Sequence, residues 1–362
     1  MFIIRPIEQK DLAGLMELLK DSGYGLTTLP QDPVVLKKRI DHSERSFAHR
    51  DDRPKGEDYL FVMEELFTGK IVGISGIISK IGGFEPYIFY RLEKTQHESK
   101  ILNVKNEILS MHLHYIHNGP AEICSLYLSP EFRNSQNGRF LSLSRFLFIA
   151  ENRKHFEKEI IAEMRGMVND KGHSPFWDAV GQHFFKTDLS LADQTYFTNR
   201  KVGEDLMPKI PVIANLLPEE AQFVIAKVHP NTEPAKRILE QEGFKFSGLV
   251  GPFEPGPILI CDIDNIRTIK ESTLGEIKEI SDKSFRSETF IISRTGEKYR
   301  ATLGGVVKLK AGGYKISSVT AAALKLRLGD KIRFATFRPK AKKKSQTNVA
   351  KVHTSKPKKK SK

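Results

Sequence analysis

Leu126-Tyr127-Leu128-Ser129-Pro130-Glu131-Phe132-Arg133-Asn134-Ser135-Gln136-Asn137-Gly138-Arg139-Phe140 runs from an apolar strand through a Ser-Pro break into Arg133-x-x-Gln136-x-Gly138, and then into the apolar start of a helix. At a tight strand-to-helix turn the first N–H groups of the helix have no partner within it. They converge on one point, where the helix dipole adds partial positive charge. Arg133 and Arg139 add full charges, and Gly138 lets a ligand approach the backbone closely. The stretch reads as a pyrophosphate site, without the lysine of a nucleotide-hydrolysing loop.

The flanking sequence supplies a sheet for this loop. Residues 2–5, 59–64, 70–78, 120–128, 159–164, 223–228 and 244–247 read as strands. Helices are expected from Asp11 as cap, at 140–150, at 175–180 with Gly181 as its stop, and at 234–241 with Gly243 as its stop. Residues 39–57 read as a polar loop, and the pair Phe184-Phe185 as the start of a further strand. This order predicts an α/β domain over 1–268, with one mixed sheet and helices on both faces. Residues 160–164 and 224–228 look alike, and each precedes a helix ending in Gly. That leaves open a duplication into repeats of about 1–190 and 191–268. A polar linker near 270–284 leads to a small, mostly β module at 285–338, with turns at Gly304-Gly305 and Gly312-Gly313, a helix at 319–324 and a strand at 331–337.

The chain has 362 residues, 39% hydrophobic and 28% charged, enough for ordinary buried cores. Cys124 and Cys261 are two distant thiols, which fits a reducing cytoplasm rather than a disulfide scaffold. No apolar run approaches the ~18 residues of a membrane span. Arg5, Glu8, Lys10 and Asp11 exclude a signal-peptide core, so a cytoplasmic protein is expected. The net charge is +14, but residues 339–362 hold ten lysines and no acid, and without them it falls to +4. This tail reads as disordered. It is either a salt-sensitive contact for polyanions or a solvated end, and no aromatic residue interleaves its lysines to stack on bases.

The loop resembles the acyl-coenzyme A loop of GCN5-related N-acyltransferases. Ile4-Arg5-Pro6 with Asp11-Leu12 resembles the first strand and helix of that fold, and Ala235 to Phe244 its late helix-to-strand motif. The resemblance to the arginine N-succinyltransferase family is closer and extends over about residues 1–337. It is carried by residues 25–30, Tyr59-Leu60-Phe61-Val62, Ser144-Arg145-Phe146-Leu147-Phe148, Ala162-Glu163-Met164-Arg165-Gly166, Ser174-Pro175-Phe176-Trp177, Val228-His229-Pro230 and Cys261-Asp262-Ile263-Asp264. It implies transfer of a succinyl group from succinyl-CoA to the α-amine of L-arginine, the first step of a route from arginine to glutamate. The donor is then a substrate, with no cofactor held permanently. The partners implied are the two small substrates and either a second copy or a paralogous subunit. The coenzyme would contact Leu126, Leu128, Arg133, Asn137, Gly138 and Arg139, with Leu126 acting through its main chain. Gln136 stands where the family has a Gly, and would cost on the order of 1 kcal/mol if the position needs φ > 0. Tyr24 also replaces a Gly, and the lysine tail is not a family feature.

His229 follows a strand-like segment and precedes Pro230; an imidazole with a pKa of about 6.5 suits proton transfer at neutral pH, and the family's proton donor matches it. Arg165 holds the equivalent place in the other repeat, either as a carboxylate-binding fork or as a surface arginine. His112, His114 and His117 lack a Cys or carboxylate at metal-site spacing, so no metal is expected. Cys124 has no neighbouring base, Trp177 reads as core, and Glu219-Glu220 as the start of a helix. Two other functions fit the same residues. One is an acyltransferase for ornithine or another amine. The other is a degenerate acyl-CoA-binding or RNA-associated protein.

Overall fold

The structure is a computed structural model and describes residues 1–339 apart from 21, 23–25, 27–28, 49–51, 134–135, 170 and 297. In chain order its elements are β1 (Phe2–Pro6), α1 (Leu12–Leu19), α2 (Pro33–Ala48), β2 (Asp58–Glu65), β3 (Ile71–Ile78), β4 (Tyr87–Ser99), β5 (Val104–Ile116), β6 (Ala121–Leu128), α3 (Asn137–Glu151) and β7 (Glu159–Glu163). A wide helical turn (Trp177–Gly181) leads into α4 (Gln182–Phe185), followed by α5 (Leu189–Thr198), α6 (Lys201–Leu206), β8 (Val212–Ile213), α7 (Glu219–Val224), α8 (Glu233–Glu242), β9 (Lys245–Val250), β10 (Pro257–Asp262) and α9 (Arg267–Lys270). The C-terminal elements are β11 (Thr273–Ser281), β12 (Thr289–Arg294), β13 (Ala301–Gly305), β14 (Val307–Lys308), β15 (Tyr314–Ser317), α10 (Ser318–Leu324) and β16 (Lys331–Thr336).

Alternation along β2 sorts the layers. Tyr59, Phe61 and Met63 point into the core shared with α3, whereas Leu60 and Val62 point to the core shared with α1 and α2. Helices therefore cover both faces of a mixed sheet, as expected. On the α3 side the rings of Tyr59, Phe61 and Tyr299 meet Phe148 at 5.1–5.3 Å between centroids. The strands follow the order β14-β15-β11-β16-β12-β13-β1-β2-β3-β6-β7-β10-β9-β4-β5-β8. The C-terminal strands thus join the same sheet, through Ile4 of β1 opposite Ala301 of β13.

Several expectations are corrected. Residues 39–48 are not loop but most of α2. Its inner face is Leu36, Ile40, Ser43 and Ser46, and the two serines accept the Leu60 and Asp58 N–H groups (2.8 and 3.1 Å), so a polar pattern conceals a buried face. Gly181 does not stop a helix. A Cβ there would lie 2.1 Å from the Trp177 ring, so the glycine admits the indole, and the helix continues through Phe184 and Phe185. Residues 219–224 are helical, opened by Glu219-Glu220, and the chain turns at Ala226 (φ +58°). With the strand at 223–228 goes the strand-for-strand match on which the two-repeat expectation rested. The linker at 270–284 contains β11, paired with β15 and β16, and Gly304-Gly305 lie within β13. Asp11 does not cap α1; its carboxylate takes two bonds from Arg5 (2.7 and 2.9 Å) and one from the Glu8 N–H. The β4–β5 hairpin had no clear sequence signal, and its tip residues Ile101 and Leu102 are exposed. The lysine tail from residue 340 lies outside the described residues.

Glu242 ties the C-terminal strands to α8. Its carboxylate is fully buried and accepts from Arg267 (2.7 and 3.0 Å) and from the Thr268 N–H (2.8 Å). Arg267 also donates to the Thr336 carbonyl, and Arg139, 3.6 Å from Glu242, donates to the Phe337 carbonyl. Removing the carboxylate leaves two guanidinium groups short of their buried counter-charge. Glu242→Ala is expected to lower unfolding free energy by about 3–5 kcal/mol, read as an earlier midpoint in urea denaturation.

Candidate active site

Strand β6 leaves regular pairing halfway along its length. On β3, Ile74 pairs with Tyr127 and Gly76 with Cys124, so one residue of β3 spans two of β6. The excess is absorbed as a bulge at Ser125, whose φ of +52° lies in the left-handed region. On its other side β6 runs parallel to β7 and pairs with it only at Ala121↔Ile160 and Glu122↔Ile161. Beyond the bulge the two strands part, and the edge of β6 from Cys124 to Leu128 faces a gap instead of a neighbouring strand.

The gap opens into a cavity of about 350 Å³. Leu126, Leu128 and Arg133 line it. The Arg133 Nε donates to the Leu128 carbonyl (2.9 Å), and its guanidinium lies 5.5 Å from the Tyr127 ring centroid. Asn137 donates from Nδ2 to the Phe132 carbonyl (3.1 Å), holding the loop against the first turn of α3. A Cβ on Gly138 would meet nothing within 4 Å, so the helix N-terminus faces open space. Gln136 has φ −110°, outside the left-handed region, so replacing the usual Gly costs no backbone strain. Tyr24, Asn134 and Ser135 lie outside the described residues.

Arg139 corrects the sequence reading. It is the third residue of α3 and points away from the loop, donating to the Phe337 carbonyl (2.8 Å) and Gln241 Oε1 (2.6 Å). It is a structural residue between α8 and the C-terminal strands and not a diphosphate ligand. Arg165 follows β7, lines the cavity, and keeps its buried Nε without a hydrogen-bond partner. The backbone N–H of His229 donates to the Arg165 carbonyl (2.9 Å), so the two sites paired from sequence are neighbours in space. His229 Nδ1 accepts the Asn231 N–H (3.1 Å), which puts the proton of the neutral ring on Nε2. Asn231 and Thr232 of the same turn line the cavity.

The cavity also brings together charges that the sequence reading missed. Glu122, Glu163 and Glu254 line it with Arg39, Arg145 and Arg200. Burial, helped by Asp58, pushes the Glu122 carboxyl up to about 7 against the pull of Arg200 and Arg39. Glu163 lines the cavity and its side chain is exposed there. Enclosure by the walls, then repulsion from Glu122 and Asp193, pushes it up to about 8. Burial and Asp193 do the same to Glu254, opposed by Arg165. Three close backbone approaches seat these carboxyls. A Cβ on Gly251 would lie 3.0 Å from Glu163 Oε1, and one on Gly256 would lie 2.0 Å from the Met164 carbonyl. One on Gly166 would lie 2.9 Å from the Gly256 N–H. A sequence signal existed: Glu122 and Glu163 interrupt apolar strands, and Arg145 an apolar helix. Cys124 lines the same cavity beside Arg39 (3.8 Å), and burial and Glu122 push its thiol up to about 12, far from a nucleophilic thiolate. His112 and His114 lie on β5 away from this cavity, against Glu93 and Arg91 respectively, and no group of three metal-binding side chains occurs among the described residues. Trp177 is core, its Nε1 donating to the Thr187 carbonyl.

Comparison with known proteins places this geometry. The family described as arginine N-succinyltransferase beta subunit matches residues 2–268. The chain belongs to the arginine N-succinyltransferase family. It is 43% identical to an arginine N-succinyltransferase of Salmonella schwarzengrund over 281 residues, 77% of this chain and 81% of that protein. It is 42% identical to that of Citrobacter koseri over the same shares. Among solved structures, subunit AI of the arginine/ornithine succinyltransferase of Pseudomonas aeruginosa superposes with a TM-score of 0.83 at 29% identity, over 94% of this chain and 99% of that one. The chain is thus an acyltransferase of this family. No helix among the described residues is long and apolar enough to cross a membrane.

The raised carboxyls have a thermodynamic consequence. From the ordinary glutamate value of 4.5 up to about 8, the folded protein binds protons at Glu163 and Glu254 that the unfolded chain releases. Stability from these groups therefore falls as pH rises through that window. Thermal melts are expected to show a lower midpoint at pH 8.5 than at pH 5, and a smaller drop in Glu163→Gln/Glu254→Gln.

Proposed function

We propose that the protein transfers the succinyl group of succinyl-CoA to the α-amine of L-arginine, by direct attack in a ternary complex. What supports this most is the parting of β6 from β7 into a charged cavity next to the loop before α3, in a chain of this family. The coenzyme diphosphate lies at the open N-terminus of α3, near Gly138 and Arg133, and the pantetheine arm enters the gap between the strands. Backbone N–H groups of β6 past the bulge, at Leu126 to Leu128, hold the thioester carbonyl and its tetrahedral oxyanion. The ammonium of arginine gives up a proton to the Glu122 carboxylate, whose proton affinity, raised to about 7, suits neutral pH. The free amine forms the C–N bond, and the C–S bond breaks. The second proton of the attacking nitrogen passes through His229 to the departing thiolate, so the sulfur leaves as a thiol and the ring ends neutral. Cys124 stays a thiol, so no acyl-enzyme on that residue intervenes. Arg165, with its unpartnered Nε, takes a substrate carboxylate. The reaction belongs in the cytoplasm, where the two buried thiols stay reduced, and the chain works as a subunit with a second copy or a paralogue.

Thiol release from succinyl-CoA with arginine, ornithine, lysine or no amine tests the reading. Arginine-dependent release is expected, reduced at least ~100-fold in His229→Ala. Release that persists in the variant would remove His229 from the proton transfer, and no release from folded wild type would remove the reaction. Gly138→Ala is expected to leave the melting temperature unchanged or higher, because Ala suits a helix. It should weaken coenzyme A binding ~10-fold by filling the space before the N–H groups, as titration calorimetry would read.

A further inference from the structure

Of the five guanidinium groups that line the cavity, Arg133 sits at the loop before α3 and Arg165 just after β7, and the other three are held in different ways. Arg39 pairs with Asp58 (2.7 Å). Arg145 is almost wholly buried and donates to the carbonyl and hydroxyl of Ser142 (3.1 and 3.0 Å) and to the Gly76 carbonyl (3.5 Å). Arg200 is held by aromatic faces. Its guanidinium carbon lies 3.5 Å from the Tyr87 ring centroid and 4.9 Å from that of Tyr196. The Tyr196 ring is itself fixed, its hydroxyl accepting the Ile88 N–H (3.0 Å), and the Arg200 N–H donates to Glu85 (3.1 Å). Among the described residues no carboxylate lies within 4.0 Å of the Arg200 guanidinium, and Glu122 acts on it only at longer range.

A guanidinium stacked on a ring keeps its in-plane N–H edge free, and that edge binds a carboxylate by two parallel hydrogen bonds. The platform also removes the entropy cost of ordering a long side chain when the ligand arrives. A succinyl group carries its free carboxylate two methylenes beyond the thioester carbonyl. With that carbonyl held at the β6 bulge, the carboxylate reaches along the wall formed by Cys124 and Glu122, where the Arg200 charge acts.

We propose that Arg200 binds the free carboxylate of the acyl group and so selects a succinyl thioester over a neutral one. The inference deepens the succinyl-transfer reading and rests on it for the identity of the ligand. Its test is binding rather than turnover. Dissociation constants of succinyl-CoA, butyryl-CoA (equal in chain length, neutral at the end) and coenzyme A are measured by calorimetry on the full chain, as wild type, Arg200→Met and Arg200→Lys. The wild type is expected to prefer succinyl-CoA to butyryl-CoA. In Arg200→Met that preference should fall by about 10- to 100-fold, the worth of a paired charge-assisted hydrogen bond, with butyryl-CoA and coenzyme A unchanged. Arg200→Lys, which keeps the charge but not the planar fork, should retain part of it. If Arg200→Met no longer binds coenzyme A, the ratio in Arg200→Lys decides. A ratio equal to that of wild type, or a wild type without preference, overturns the proposal. Thiol release in parallel separates the two readings. A wild type that prefers succinyl-CoA but releases no thiol with any amine would sink the transfer reaction and leave Arg200 as the carboxylate site.

Discussion

An extra residue in β6 forces one parallel strand pair apart, and the functional arrangement depends on that break. A sheet that stayed paired through Ser125 would bond the β6 edge to β7 and leave no backbone donors for a ligand. Because the register shift falls where β3 passes from Ile74 to Gly76, β6 remains fully anchored on that side. The rigid half of the sheet therefore presents the open edge. The core of Phe61, Phe148 and Tyr299 beneath it, on the α3 side, resists adjustment, so the gap is a fixed feature of the fold and not a loosened one.

Opening the sheet also creates the electrostatic character of the cavity. Strand residues that would ordinarily be buried among apolar neighbours, such as Glu122 and Glu163, acquire a polar space to face. The walls still exclude enough water to raise their proton affinity. Arginines enter from α2, α3 and the segment after α5, each held by a different device: an ion pair, main-chain carbonyls, or aromatic stacking. Charges of both signs in one enclosed volume suit a reaction whose substrates carry carboxylates, an amine and a guanidinium.

The C-terminal strands are part of this machinery in a structural sense. They extend the sheet through β1, and they are locked to α8 and to the start of α3 by Arg139, Glu242 and Arg267. The helix that carries the coenzyme loop is thus braced from the side opposite the cavity. That explains why a charged residue three positions into the loop helix is buried and unavailable to a ligand.

The alternating pattern of β2, the break at Ser129-Pro130, the glycine at the start of α3 and the stop at Gly243 were all legible in the sequence. Each depends on the local backbone and on near neighbours. The family was legible for the same reason, through short blocks such as Val228-His229-Pro230. What tertiary structure alone decided was direction. Arg133 and Arg139 look equivalent in sequence, yet a helical turn and the docking of Phe337 send one to the cavity and the other to the far side. The serines of α2 read as loop because their buried partners are backbone N–H groups of a distant strand. Arg200 has only part of its platform nearby in sequence: Tyr196 is four residues away, but the closer ring, Tyr87, belongs to β4 and reaches it only once the sheet has formed. Contacts across such sequence distances are set by packing, which the order of residues along one segment does not contain.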